Sequence, residues 1–293
     1  MFASYGKESN AMRYLSVCSG IEAATVAWHD LGWEAAAYSE IEKFPSEVLK
    51  YHYPLVPNLG DMTKYKEWEI GTIGLLVGGT PCQSFSVAGL RKGLNDPRGN
   101  LALTYVGILD KFRPKWFIWE NVAGVLSSGG GRDFGSFLGA VAEIGYGFSY
   151  RVLDAKYFGV PHRRRRVFVV GHIGDWRPTA KVLFEPESNN WNIEKIQKST
   201  LRGRNKNTSG CLTTRQGQYG RKELDTLIYE YSKNKVRILT PLETERLQGF
   251  PDNYTNIDGA TDIKRYKTTG NSMAVPVMKW LGNRIQMVED GLI

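Results

Sequence analysis

The sequence predicts an α/β chain, in which a parallel sheet is covered by helices on both faces and accompanied by a smaller, loop-rich domain. Three observations carry this expectation. Short apolar runs alternate with stretches of helical period from Tyr14 to Gly171. After Gly171 the period fades, and residues 172–235 are rich in Asn, Ser, Thr, Gly, Lys and Arg. Regular patterning then returns at Val236–Leu239. The expected organisation is a tail at 1–12, a main domain at 13–171 completed by 268–293, and a small domain at 172–267.

Each element has a local reason. Residues 14–18 (YLSVC) read as a strand, and the apolar positions Ala23, Val26, Ala27 and Leu31 form one face of a following helix. Residues 33–38 read as a second strand. Residues 73–77 (IGLLV) are a short buried strand ending in Gly78-Gly79. Leu103, Val106, Leu109 and Phe112 lie in helical register over 101–112. A strand at 116–119, a helix at 134–144 and a strand at 167–170 follow. Thr240-Pro241-Leu242-Glu243 is a capping box with proline at the first helical position, so a helix starts there and stops near Gly249-Phe250-Pro251. Residues 274–288 read as a final helix packed back on the main sheet.

Composition narrows the class. The chain has 293 residues, 42% hydrophobic and 23% charged, which is the balance of a folded globular protein and excludes disordered or collagen-like chains. Lys plus Arg number 38 against 30 acidic residues, a net charge of +8 that suits a polyanionic partner. The three cysteines, Cys18, Cys82 and Cys211, are far apart, and the four histidines are scattered. Neither a disulfide framework nor a metal site is expected. No apolar run reaches the roughly 18 residues of a membrane span, and no secretion signal is visible, so a cytoplasmic location is expected.

Four segments carry the chemistry. Gly78-Gly79-Thr80-Pro81-Cys82-Gln83-Ser84-Phe85-Ser86 places one cysteine just past a buried strand, at the edge where open α/β sheets gather ligands. A cysteine there is either an activated nucleophile or a small buried hydrophobe. The flanking glycines and proline, which fix a turn, and the polar, Gly-rich stretch through Gly99, which has the character of a lid, favour the nucleophile. Trp119-Glu120-Asn121-Val122 puts an acid past another strand, where Glu120 either exchanges a proton near Cys82 or is a solvated carboxylate. His162-Arg163-Arg164-Arg165-Arg166 is either an anion contact or a basic surface patch. Alternation points Arg164 and Arg166 to one side and Arg163 and Arg165 to the other. Cys18-Ser19-Gly20-Ile21-Glu22 joins strand to helix, with Gly20 open to a close ligand but without the full G-x-G-x-x-G pattern. Glu40 suits a ribose diol and Asp61 an exocyclic amine, although either could be a plain surface carboxylate.

In this order the segments resemble the DNA cytosine-5 methyltransferases, in particular the compact bacterial and phage type. Gly78 to Ser86 match the family's nucleophile motif and Glu120-Asn121-Val122 its acidic motif. Pro161 to Arg166 match its basic motif. Arg246-Leu247-Gln248-Gly249-Phe250-Pro251 and Gly270-Asn271-Ser272-Met273-Ala274-Val275-Pro276 match two late motifs. The resemblance covers about 14–171 and 236–290. Three positions depart from the family pattern: Cys18 stands where phenylalanine is usual, Glu22-Ala23 replace a second glycine and its neighbour, and His162 replaces glutamine.

The resemblance implies a Rossmann-like sheet that binds S-adenosylmethionine, and double-stranded DNA as the substrate. It implies that Cys82 attacks C6 of a flipped-out cytosine, that Glu120 holds a proton at N3, and that Arg166, helped by Arg164, contacts O2. Asn121 is expected to brace the nucleophile loop through its backbone. Cys18, Ser19, Gly20 and Ile21 are expected to meet the cofactor at the first turn, Glu40 the ribose, and Asp61 the adenine amine with Met62 against the ring. Leu101, Asn271 and Ser272 are expected to close the pocket. Gln83 and Ser86, beside the nucleophile, are expected to contact DNA. So are Thr213, Thr214 and Arg215, in the variable stretch where the family carries target recognition. A monomer, association with the nucleoid and a cognate restriction endonuclease as possible partner complete the expectation. The competing readings are an RNA methyltransferase of the same superfamily, a DNA-binding protein on an idle methyltransferase scaffold, and a nicotinamide-dependent oxidoreductase. The first lacks the Cys-Phe-Thr signature of the RNA-directed relatives, the second is disfavoured by the presence of Cys82, Glu120 and Arg166, and the third lacks its glycine fingerprint.

Overall fold

Strands β1 (Arg13–Val17), β2 (Glu34–Ser39), β3 (Leu75–Gly78), β4 (Trp116–Val122), β5 (Tyr146–Asp154) and β6 (Arg165–Ile173) form one sheet in the order β2-β1-β3-β4-β6-β5. This is a computed structural model, and it describes residues 11–81, 101–185, 227–230 and 234–293. Strands β1 to β4 run parallel, with the strand order reversing between β1 and β3.

Alternation along the strands builds two cores. Tyr14, Leu75, Val77, Trp116, Ile118, Phe168 and Val170 face one side of the sheet. Their neighbours Leu15, Leu76, Phe117, Trp119, Val167 and Val169 face the other. Every second residue is apolar on both faces, as a sheet buried between two helical layers requires. Helices α1 (Ala23–Trp28) and α8 (Val275–Glu289) cover the first face, and α3 (Leu101–Phe112) and α4 (Arg132–Glu143) the second. Trp28 joins α1 to α8 by donating its indole N–H to the Met278 carbonyl at 2.8 Å. Gly282 makes that approach possible, because a Cβ there would run into the Trp28 indole.

The remaining helices among the described residues are α2 (Lys43–His52), α5 (Arg177–Leu183), α6 (Pro241–Gln248) and α7 (Asp262–Asn271). Helix α6 begins as its sequence dictates. Thr240 and Glu243 form a reciprocal capping box, Pro241 occupies the first turn, and Gly249 ends the helix in the left-handed region. A short antiparallel pair, β7 (Leu227–Glu230) and β8 (Lys235–Ile238), precedes it. Val182, Leu183, Phe250 and Tyr254 belong to the main core, so these parts of 172–267 pack with the sheet.

One expectation is corrected. The sheet is not parallel throughout, because β6 runs antiparallel to both β4 and β5. The link from β5 to β6, residues 155–164, holds only the 3-10 turn Ala155–Tyr157 and no crossover helix, and a parallel neighbour needs a crossover of a dozen residues or more. The reversal has a functional consequence. It brings the first residues of β6 to the edge where β3 and β4 end, with Arg166 opposite Val122. A parallel β6 would have placed Arg166 at the far edge, about 25 Å away.

Candidate active site

The carboxyl edge of the parallel strands gathers most of the predicted residues. Strand β1 ends in Cys18-Ser19-Gly20, β2 in Glu40, β3 in Gly79-Thr80, and β4 carries Glu120 and Asn121 near its end. One recess at this edge is lined by Cys18, Ser19, Gly20, Glu120, Asn271 and Ser272 among others.

The acid end of the recess is tightly specified. Gly78 pairs with Trp119 across the ladder, so Gly79 lies against Glu120. A Cβ on Gly79 would come within 2.9 Å of Glu120 Oε2. Glu120 Oε1 forms an ion pair with Arg166 Nε at 3.2 Å, and both side chains are largely buried. Burial pushes the Glu120 carboxyl above its ordinary range, while Arg164 and Arg166 pull it back. Asn121 donates its side-chain amide to the Thr80 carbonyl at 3.0 Å, and the Trp119 indole donates to Thr80 Oγ1 at 3.0 Å. Two side chains of β4 therefore fix the residue two positions before Cys82.

The arginine run alternates as its sequence predicts. Arg164 is buried, while Arg163 and Arg165 are exposed. Arg164 donates to the carbonyls of Gly270 at 3.1 Å and Ser272 at 2.6 Å, so its guanidinium ties the basic motif to the last loop of the site. Its backbone N–H reaches Asp154 Oδ1 at 2.9 Å. His162 is fully buried, with Leu247 and Gln248 of α6 as hydrogen-bond partners. Burial, aided by the nearby arginines, pushes its imidazole down to about 3, so it is neutral. Gln248 also donates to the Thr269 and Ser272 carbonyls. Three distant motifs thus meet behind Ser272.

The cofactor end is built from the first two turns. Gly20 lies in the left-handed region with open space where a Cβ would stand. Its N–H donates to Glu40 Oε2 at 2.8 Å, and Glu40 Oε1 accepts from the Glu42 N–H at 2.7 Å. The carboxylate is thereby held between the turns after β1 and β2. Cys18 Sγ lies 3.4 Å from Met62 Sδ, and burial pushes its thiol up to about 12, which keeps it a neutral wall. Asp61 Oδ1 accepts from both the N–H and the hydroxyl of Thr63, which fixes the carboxylate at the start of a 3-10 turn. Leu101 packs in the same apolar cluster as Cys18 and Met62. The Ile21 side chain is buried in the core and its carbonyl accepts from the Tyr254 hydroxyl at 3.0 Å. A held carboxylate, an open glycine turn and an apolar sulfur wall fit a nucleoside cofactor. The recess has a further lining residue without a motif, the buried Glu22, whose one signal in the sequence is a carboxylate standing in a glycine position.

Cys82, Gln83, Ser86, Thr213, Thr214 and Arg215 lie outside the described residues. Among the described residues no group of three or more His, Cys, Asp or Glu side chains stands ready to hold a metal, and no helix is long and apolar enough to cross a membrane.

Comparison with known proteins bears on the whole chain. Residues 12–200 and 176–287 match the family described as C-5 cytosine-specific DNA methylase. A protein of Escherichia phage P1 named DNA N-6-adenine-methyltransferase is 32% identical over 93% of this chain, which spans 61% of that relative's length. The Type II methyltransferase M.SsoII of Shigella sonnei is 30% identical over 95% of this chain and 81% of its own. The S. pombe Dnmt2 methyltransferase structure shares the fold, with a TM-score of 0.68 at 18% identity, covering 95% of this chain and 99% of that one. The structure of Entamoeba histolytica EhMeth does so as well, with a TM-score of 0.66 at 18% identity, covering 97% and 99%. From the family match and the sheet edge together, the chain belongs to the C-5 cytosine-specific DNA methylase family, and S-adenosylmethionine is its cofactor.

Proposed function

We propose that this protein methylates C5 of a cytosine flipped out of double-stranded DNA, within a short recognition sequence. The observation that carries the reading is the shared recess: Glu120 opens into the same space as Cys18, Ser19, Gly20, Asn271 and Ser272. A proton donor and a cofactor turn are thus two walls of one site. The relatives named as Type II methyltransferases support DNA as the substrate and a restriction–modification setting. The orphan methyltransferases of Bacillus phages, which match about half of this chain, also fit a stand-alone enzyme.

The chemistry follows from the residues. Cytosine C5 is a poor nucleophile. The Cys82 thiolate adds to C6, and the displaced electron pair moves into the ring, where Glu120 supplies a proton at N3. Arg166 orients that carboxyl and faces the ring oxygen O2. S-adenosylmethionine, when bound, supplies an electrophilic methyl group. Once C5 is methylated, a base removes the C5 proton, the C6–S bond breaks, and the N3 proton returns to Glu120. Arg164 acts as a positioning residue through the Gly270–Ser272 carbonyls. Glu40 takes the ribose hydroxyls, Asp61 the adenine amine, and Met62 and Leu101 the ring. Gln83, Ser86, Thr213, Thr214 and Arg215 contact the DNA, with Arg215 suited to reading guanine.

The test is bisulfite sequencing of DNA from a methylation-free bacterial host expressing the chain, beside a host expressing Cys82→Ser. Protected cytosines in one recurring short context, lost in the variant, are expected. Protection in the variant would overturn the thiolate mechanism. Soluble protein that protects no DNA cytosine, but protects cytosines in host RNA, would replace the substrate.

A further inference from the structure

We infer that Glu22 is the counter-ion of the cofactor's cationic amino-acid end. The proposal rests on the recess being the cofactor site, as argued above. Glu22 is 1% exposed and lines the recess with Gly20, Gly79 and Asn271. Ser16 and Thr25 hydrogen-bond its carboxyl, yet Oε2 has no hydrogen-bond partner among the described residues. A buried carboxyl oxygen left open costs stability unless something else completes it. The backbone adds to that cost. Glu22 sits in the left-handed region at φ 66°, where a glycine would rest without strain. A residue that lines a ligand recess, sits in a strained conformation and carries a buried oxygen with no hydrogen-bond partner among the described residues has the character of half of an ion pair.

Among the described residues the surroundings supply no other half. The charged and titratable groups facing Glu22 are Glu40, Tyr14, Tyr38, Tyr53 and Tyr254, with Glu120 elsewhere in the recess. None is a cation. The tyrosines stay neutral, since burial pushes each hydroxyl up. Burial pushes Glu22 itself up to about 8, so the free carboxyl holds its proton at pH 7. A cation brought against Oε2 drives that proton off. Two sources of positive charge exist on the cofactor, the α-ammonium and the sulfonium, and they are separable by ligand.

The experiment is isothermal titration of the full-length chain at pH 7.0 with three ligands. S-adenosylmethionine carries both cations, S-adenosylhomocysteine only the ammonium, and methylthioadenosine neither. Running each in two buffers of different ionisation enthalpy counts protons released. Wild-type protein should release close to one proton per cationic ligand. Glu22→Gln should abolish that release and weaken the cationic ligands by about 10- to 100-fold, while sparing methylthioadenosine. Equal losses for the first two ligands assign the ammonium, and loss for S-adenosylmethionine alone assigns the sulfonium. Glu22→Gly, free of the backbone strain, should bind the cationic ligands as weakly as Glu22→Gln while unfolding no earlier than wild type. Unchanged affinity and proton release in both variants, or equal weakening of all three ligands, overturns the proposal. Wild-type protein that binds none of the three overturns the assignment of the recess and the proposal with it.

Discussion

The side-chain amide of Asn121 donates to the carbonyl of Thr80 at 3.0 Å, so the strand that carries Glu120 also anchors the residue two positions before Cys82. This bond is buried, and nothing in water competes for it.

Asn121→Ala should therefore loosen the start of the nucleophile loop. Loss of a buried amide leaves the Thr80 carbonyl short of a donor, at a cost of about 1–3 kcal/mol in stability. Methyl transfer should fall more steeply than cofactor affinity, because the cofactor turn lies on β1 and not on β3. Single-turnover rates beside a cofactor titration check the split. Equal losses in both would show that Asn121 supports the whole edge.

In the proposed mechanism Glu120 acts in its protonated form, and burial raises its carboxyl. A group that works in its protonated form loses activity as pH rises through its raised value. Wild-type kcat should thus decline on the alkaline side. Glu120→Gln keeps the shape and removes the transferable proton, lowering kcat by about 10²–10⁴-fold and erasing that decline. A pH–rate profile of the two proteins checks both points.

His162 links pH to stability. Its imidazole is held down to about 3 in the folded chain against an ordinary value of 6.5. The unfolded chain takes up a proton below pH 6.5 and the folded chain does not. The His162 contribution is therefore complete above pH 6.5 and is lost as pH falls toward 3, at about 1.4 kcal/mol per pH unit within that window. His162→Gln should flatten this part of the profile, read as Tm between pH 7 and pH 4.

The outward pair of the arginine run, Arg163 and Arg165, is exposed beside the site. Their contacts with DNA should be made to phosphate. Replacing both by alanine should reduce the slope of log affinity against log salt by about 2 and leave the target sequence unchanged. An unchanged slope would remove this face from the DNA contact.

Much of the architecture is legible in the sequence because strands buried on both faces are continuous apolar runs. Helices α3 and α6 are legible through a clean period and an explicit cap. What escapes is physically distinct. Strand β5 (YGFSYRVLD) is half-exposed at the sheet edge, so its pattern is mixed. Helix α7 (DIKRYKTTGN) is too polar to show a period by eye. The direction of β6 leaves no trace in side-chain alternation, which reads the same from either end. In the site, the strand-end motifs mark Glu120 and the first turn. The partners of Arg164 do not announce themselves, because they are backbone carbonyls more than 100 residues away.

The bond from Trp28 to the Met278 carbonyl spans 250 positions of the chain. During synthesis, the apolar face of α1 emerges long before the helix that covers it. Until α8 leaves the ribosome, Trp28 and its neighbours lack the helix that covers them, and only Tyr14, Trp33 and the earlier parts of that core can shield them. The nascent chain thus presents a sticky surface through most of its translation, the interval in which chaperones are needed most. Slowing translation before residue 275 should lengthen that interval and lower the soluble yield, with no change in the stability of the finished protein.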